Sequence, residues 1–253
     1  MIRAPRRIAH GDELTLVDHL DELRSRLLVA GAAVLAGTVV GYVVHRRVLG
    51  LLVAALPRHH RHLVTLGVTE PFTTSLKLSV VVGVALALPV VLWQVWAFFA
   101  PAVRPGTAAG LGWFAALAAV LMAFGIGFGD RIALPAALHF LTNYDDGVYD
   151  VQVRAADYLS FAVLVLAACG AVFELPIAVL GLVRVGALSS ARLRRNRRIG
   201  YFVVAVIGVA LPGVDPVTTI VETIPFAVLF EASIWLSVAC ERRWQREPEP
   251  MPT

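Results

Sequence analysis

Six stretches of this 253-residue sequence are apolar and almost free of charge, and this feature restricts the possible folds most. A helix needs about 20 residues to cross the hydrocarbon core of a bilayer. The first four stretches are long enough, whereas the fifth, Ile199 to Leu211, covers only about 20 Å and requires local thinning of the bilayer. A re-entrant segment is the alternative there, but Arg197 and Pro212 at its ends favour a span. The sequence predicts six transmembrane helices in a concave all-α bundle, the last two short, at about residues 27–44, 78–103, 111–128, 158–183, 199–211 and 217–240.

The composition agrees with a membrane protein. Hydrophobic residues make up 58% of the chain and charged residues 16%, against roughly 45–50% and 25% in soluble domains. A soluble enzyme is therefore not expected. Cys169 and Cys240 provide neither a disulfide framework nor metal-ligand spacing, so no cofactor and no metal are implied. The net charge of +4 gives little support to nucleic-acid binding, because basic cytoplasmic loops are common in membrane proteins.

The distribution of basic residues predicts the orientation of the chain. The side that holds both termini carries 15 Lys and Arg residues and the other side seven, so the positive-inside rule places both termini in the cytoplasm. The first outer loop, with Arg46, Arg47, Arg58 and Arg61, is a local exception. We expect a cytoplasmic segment at 1–26, a six-span domain at 27–240 and a disordered cytoplasmic tail at 241–253. The acids before residue 27 argue against a cleavable signal peptide.

Glu174 stands out because it lies near the middle of the fourth span, about 15 Å from the cytoplasmic end. A carboxylate there is costly unless it is protonated, paired or wetted, so we expect it to face the bundle interior or a water-filled cavity. Pro176 adds to the polarity, since its ring leaves a backbone carbonyl without a helical partner. The alternative is a neutral, hydrogen-bonded Glu that only holds helices together.

Other polar residues within the spans allow less specific interpretations. Glu222 and Glu231 are nine residues apart on the last span and cannot share a helix face, so at most one can join Glu174. We interpret Glu231 as a helix-docking residue and Glu222 as wetted from outside. Gln94 is expected to hydrogen-bond to a neighbouring helix. Lys77 lies at an outer end and can snorkel.

Two enzyme-like patterns do not fit their chemistry. The histidines from His59 to His62 diverge on a helix and lack a carboxylate, so a metal site is not expected. Asp130 and Asp145 resemble the aspartates of intramembrane proteases, but they occur in reversed order on one outer loop and cannot share a proton. The glycines at 125, 127 and 129 are better explained by close helix packing than by the motif of such a protease. No phosphate-binding glycine loop is present, so transport energy must come from elsewhere.

An ordered set of short motifs resembles the TatC family, the core subunit of the twin-arginine protein translocase. Residues 19–27 (HLDELRSRL) resemble the signature at the start of that family. Further matches in order and spacing cover nearly the whole chain: Pro71-Phe72, Lys77, Pro89, 94–101 (QVWAFFAP), 158–161 (YLSF), 173–176 (FELP), Asp215, Pro225 and Phe230-Glu231.

The resemblance implies a receptor without enzymatic activity in a bacterial-type plasma membrane. Such proteins bind twin-arginine signal peptides of folded precursors at their cytoplasmic face. They recruit single-span TatA and TatB partners, assemble into complexes of several copies within lipid, and depend on the proton-motive force. Guanidinium groups match carboxylates in bidentate geometry, which lysine cannot do.

Carried onto this chain, the resemblance assigns signal-peptide binding to Glu22, with Arg24 and Arg26 from the same signature. The alternative for Glu22 and Arg26 is an ordinary i,i+4 surface pair. We also expect polar contacts within the membrane or partner docking at Glu174, Gln94, Pro176 and Glu231, and we expect Lys77, Pro71 and Asp215 at the outer face.

The chain departs from the family pattern at two positions. Thr107 occupies the place of a second signal-binding Glu, so we expect that Asp18 or Asp21 compensates or that recognition is weaker. The outer turn reads PGVD at 212–215 and lacks the usual double proline. A small-solute, proton-coupled secondary transporter is the alternative function, although the two related halves expected of one are not visible.

Overall fold

The computed structural model describes residues 16–99, 108–144, 148, 151–184, 186–210 and 216–244. These residues form helices and connecting segments, with no strand among them apart from a single isolated bridge. A 3-10 turn at Arg58–His60 and a π-helical turn at Gly129–Ala133 join some of the helices. The α-helices are α1 (Leu16–Ala55), α2 (Glu70–Phe99), α3 (Ala108–Phe128), α4 (Leu134–Asn143), α5 (Ala155–Phe173), α6 (Leu175–Arg184), α7 (Ser190–Arg195), α8 (Arg197–Ala210) and α9 (Pro216–Trp244).

The prediction of an all-α membrane protein is confirmed. Within the described ranges, five helical units are long and apolar enough to cross a membrane: Leu20–Ala55, Glu70–Val95, Ala115–Asn143, Ala155–Arg184 and Pro216–Arg242. The 14-residue helix α8 is the short member of the set, as expected for the fifth span. The prediction that the last span is short is wrong. Helix α9 runs for 29 residues and continues through Pro225.

Helix α1 is much longer than its apolar stretch. Its 40 residues correspond to about 60 Å, roughly twice the thickness of a hydrocarbon core. Arg26 and Arg46 lie about 30 Å apart along it, so the intervening residues alone match that core. The helix therefore extends beyond the apolar stretch at both ends, and the expected boundary at residue 26 falls within a continuous helix. The two ends of the bundle are called below the Glu22 end and the Glu70 end.

Glycines bring α1 and α2 into backbone contact. A Cβ atom added to Gly37 would lie 2.5 Å from the carbonyl oxygen of Gly83, and one on Gly41 would lie 2.4 Å from that of Ser79. Gly37 and Gly41 form a small-xxx-small pair of the kind that allows helices to approach closely in membranes. The two contacts show that the helices are antiparallel, with residue numbers at one level adding to 120. This register also places Arg26 level with Gln94.

A second close contact joins α3 to α5. A Cβ atom on Gly125 would lie 2.7 Å from the carbonyl oxygen of Cys169, and one on Gly129 would lie 2.8 Å from a methyl carbon of Leu166. Close packing was predicted for these two glycines and is confirmed. Gly127 has nothing within 4 Å at the same test, so the prediction for that residue is wrong. It lies on the other side of α3.

The Glu70 end is closed by the segments between the helices. The Val64 amide donates to the Val153 carbonyl at 3.0 Å, and the Ala155 amide donates to the Val64 carbonyl at 2.8 Å. Arg61 donates to the carbonyls of Leu56 and Ala54 at the end of α1, which satisfies acceptors that have no partner within the helix. The first long loop is thereby joined to the segment that precedes α5.

Candidate functional site

Three of the predicted residues meet at the Glu22 end of the α1 and α2 pair. The Arg26 guanidinium donates to one carboxylate oxygen of Glu22, with Nε at 3.0 Å, and its Nη1 donates to the Gln94 side-chain oxygen at 3.4 Å. Arg26 and Glu22 are one helical turn apart, and Gln94 comes from α2 through the register set by the glycines. The Glu22 and Arg26 side chains are only 12% and 18% exposed. They are therefore more than a solvated surface pair.

Glu22 retains one unused acceptor. Its Oε2 atom is buried and has no hydrogen-bond partner among the described residues, whereas Oε1 accepts two hydrogen bonds from Arg26. A buried carboxylate oxygen without a donor is unfavourable. The site therefore has a place for one further N–H group, and a guanidinium is the donor that matches it best.

The neighbours of Glu22 on α1 are open to the surroundings. Asp21 and Arg24 are exposed, so both are accessible to a ligand. Neither forms a hydrogen bond or an ion pair with Glu22 among the described residues. The side chain of Asp18 and the whole of Thr107 lie outside the described residues. The idea that Asp18 or Asp21 replaces the missing loop carboxylate therefore stays a prediction.

Gln94 lies at the Glu22 site and not beside Glu174, as had been expected. Sequence reasoning grouped it with Glu174 as an intramembrane docking residue. It does hydrogen-bond to a neighbouring helix, but its partner is Arg26, the ligand of Glu22. Sequence alone could not show this, because 68 residues separate Gln94 from Arg26.

Glu174 lies at a break in the fourth span. Helix α5 ends at Phe173 and α6 begins at Leu175, so Glu174 occupies the junction between them, next to the buried Pro176. Its side chain is 8% exposed, and neither carboxylate oxygen has a hydrogen-bond partner within the described parts of the chain. The alternative of a hydrogen-bonded Glu that joins helices does not fit this arrangement. A buried carboxyl group without a partner is suited to a donor from another molecule or to a proton.

The two acids of α9 occupy different environments. Glu231 accepts a hydrogen bond from the Tyr201 hydroxyl at 2.5 Å and lies 3.5 Å from an Arg197 nitrogen, so it joins α8 to α9. The Arg197 guanidinium also lies 5.7 Å from the centre of the Trp235 ring. Glu222 is 1% exposed, so the expectation that it is wetted from outside is wrong. The close helical contacts of α9 enclose it.

Two of the three residues expected at the outer face belong to the described part of the chain. Lys77 and Pro71 are both exposed on the first two turns of α2, and Asp215 lies outside the described residues. None of the described contacts brings Lys77 to a carboxylate. We therefore see no common site formed by these residues in the part of the chain that the structure describes.

Sequence reasoning missed a buried ion pair at the Glu70 end. Glu70, which is 7% exposed, accepts hydrogen bonds at 3.2 Å from two nitrogens of Arg154. The amides of Leu66, Gly67 and Ala156 also donate to its carboxylate. The hydrogen bond to Glu70 raises the pKa of Arg154 above its ordinary value, and the Coulombic attraction of the same carboxylate adds to this. The only sequence signal was an acid at a helix start, where acids are common.

Comparison with known proteins gives a consistent result. The family model described as "Sec-independent protein translocase protein (TatC)" matches residues 18–225. The TatC protein of Carboxydothermus hydrogenoformans is 30% identical over 225 residues, which cover 88% of this chain and 93% of that protein. The TatCd protein of Bacillus subtilis is 31% identical over 236 residues, covering 93% and 96% respectively.

Solved structures agree with the sequence comparisons. A crystal structure described as the twin arginine translocase receptor TatC superposes on this chain with a TM-score of 0.75 at 30% identity. It covers 88% of this chain, which in turn spans all of that structure. A second crystal structure of the same receptor, in the detergent DDM, gives a TM-score of 0.76. The likeness therefore extends over most of this chain.

Proposed function

The chain belongs to the TatC family of Sec-independent protein translocases, and on that premise we propose that it is the receptor for twin-arginine signal peptides. It is a multi-pass protein of the bacterial inner-membrane type. The observation that carries the proposal is the unused, buried Oε2 atom of Glu22 beside Arg26 and Gln94. An arginine of a signal peptide supplies the missing donor.

The location of Glu22 suits a ligand that arrives from the cytoplasm. Glu22 lies just before the stretch of α1 that matches the hydrocarbon core, at the level of the inner headgroups if the termini face the cytoplasm. Asp21 is exposed beside it and adds negative charge to the approach. The apolar part of the same peptide can then follow the lipid-facing side of the helices. The concave shape of the bundle stays a prediction.

Glu174 is proposed as the docking point for a membrane-spanning partner. Its two oxygens are buried and have no hydrogen-bond donor among the described residues. A polar side chain on a single-span helix of the TatA or TatB type can supply one. Assembly with such partners and further copies of this chain would complete the translocase. The proton-motive force would supply the energy for transport.

Co-purification with a twin-arginine precursor tests the receptor role. We expect Glu22→Gln to abolish co-purification, because an amide lacks the charge that a guanidinium requires. Glu22→Asp should weaken it, since the carboxylate is kept but withdrawn by one methylene. Asp157→Asn, an exposed acid at the opposite end of the bundle, is the matched control. If Glu22→Gln retains the precursor as well as Asp157→Asn does, the receptor role of Glu22 is refuted.

A further inference from the structure

Glu22 already holds a guanidinium in this structure, namely that of Arg26. Both hydrogen bonds from Arg26, through Nε and Nη2, converge on Oε1 and leave Oε2 vacant. A guanidinium normally grips a carboxylate with two parallel hydrogen bonds, one to each oxygen. Arg26, on the following turn of the same helix, does not do so here. The internal pair is therefore less complete than the pair that an incoming arginine can form.

Arg26 also has a second acceptor outside the pair. Its Nη1 atom donates to the Gln94 oxygen at 3.4 Å, on the opposite helix. If Glu22 is taken by another guanidinium, Arg26 keeps a partner at Gln94 and is not left as a buried charge without any acceptor. A neutral amide is the right partner for this purpose, because it accepts the hydrogen bond without competing as an anion for the incoming arginine.

We propose that Arg26 is an exchangeable internal ligand of Glu22, which a signal-peptide arginine displaces towards Gln94. This inference rests on the proposed function and concerns the regulation of the same site. The internal pair lowers the apparent affinity for every cationic peptide, because only the fraction of molecules with an open Glu22 can bind. Arginine and lysine peptides meet the same competition, so the preference for arginine comes from Glu22 itself. A lysine ammonium is a compact point charge and does not reproduce the planar guanidinium geometry.

The test compares peptide binding to the purified full-length chain in detergent. Fluorescence anisotropy gives the Kd of a labelled Arg-Arg signal peptide and of its Lys-Lys counterpart. We expect Arg26→Gln to tighten binding of both peptides. The gain should be about tenfold if the internal pair is closed in about nine molecules of ten, and it should be equal for the two peptides, because both require the same open state of Glu22. The ratio of the two Kd values therefore stays unchanged.

Two further variants separate exchange from a structural role. Arg26→Lys keeps the charge and loses the planar fork, so we expect affinities between those of the wild type and Arg26→Gln, with the ratio of the two Kd values unchanged. Arg46→Gln removes one charge from the same helix about 30 Å away and serves as the control for net charge. Size-exclusion chromatography and circular dichroism establish that each variant is folded. If Arg26→Gln proves unfolded, Arg26→Lys gives the decisive comparison.

The outcomes distinguish this inference from the receptor role. If the wild type binds and depends on Glu22, but Arg26→Gln binds neither peptide more tightly, or tightens only one of them, the exchange is refuted and the receptor role stands. A loss of binding in Arg26→Gln would show that Arg26 helps to hold the peptide, which also refutes the exchange. If neither wild type nor Arg26→Gln binds the Arg-Arg peptide, the receptor role is refuted, and the exchange with it.

Discussion

The contact between α1 and α2 predicts a large difference between glycines of the same helix. An alanine Cβ at position 41 would lie 2.4 Å from the Ser79 carbonyl oxygen, about 1 Å inside ordinary van der Waals contact. This carbonyl oxygen is part of the backbone of α2, so the clash cannot be relieved by rotation of a side chain. The two helices must separate instead, and overpacking of this kind costs about 1–3 kcal/mol.

Gly50→Ala and Gly31→Ala are matched controls on the same helix. A Cβ atom at either position has nothing within 4 Å. Both substitutions should stabilise α1 slightly, by up to about 1 kcal/mol, because alanine has the higher helix propensity. Gly41→Ala receives the same benefit, so the difference between it and Gly50→Ala isolates the clash.

Unfolding in detergent, followed by circular dichroism, measures this difference. We expect Gly41→Ala to be less stable than Gly50→Ala by about 1–3 kcal/mol. In α3, Gly125→Ala and Gly127→Ala form a second matched pair, since only the former meets a backbone carbonyl. If Gly41→Ala is as stable as Gly50→Ala, the close backbone approach of α1 and α2 is wrong, and so is the register that brings Arg26 to Gln94.

Three further predictions concern other parts of the molecule. Glu174→Ala should leave the Kd for an Arg-Arg peptide within about twofold of the wild type and block export in vivo, because it removes the partner contact alone; full export would contradict this. Tyr201→Phe should lower the melting temperature by removing a hydrogen bond between α8 and α9, with Tyr144→Phe, at an exposed hydroxyl, as control; equal melting temperatures would refute the role of that bond. Arg154→Gln should lower the melting temperature by the same amount at about pH 6 and at about pH 10. Glu70 raises the pKa of Arg154, so the stability that this ion pair contributes is fully present below the pKa of arginine in the unfolded chain. It is lost only as the pH rises through the higher pKa of the folded state. A difference that shrinks between those two pH values would refute it.

Most of the membrane architecture could be predicted because hydrocarbon imposes a simple requirement on length and polarity. The length of α1 could not, since charged residues such as Arg46 mark a membrane boundary as well as they mark a loop. A helix that continues into water looks the same in sequence as one that ends there. The spacing of Gly37 and Gly41 indicates which face of α1 packs closely against another helix. It does not indicate which residues of α2 lie opposite.

The candidate site was predictable to the extent that its members are close in sequence. Glu22 and Arg26 are four residues apart, and that spacing places them on one helix face. Gln94 joins them only through tertiary packing, and Glu70 reaches Arg154 across 84 residues. Glu222 illustrates the opposite failure: its position near a helix end suggested water, whereas neighbouring helices enclose it. Position along a helix does not determine which neighbours surround a side chain.

The turn at Glu174 interrupts the regular helix at one residue only. The Glu174 amide donates to the Ala171 carbonyl and the Ala178 amide donates to the Glu174 carbonyl, so hydrogen bonds connect α5 to α6 across the junction. Pro176, two residues further on, has no amide hydrogen to donate. A partner that binds the Glu174 carboxyl group would therefore dock at the one turn of this span whose backbone hydrogen bonding is irregular.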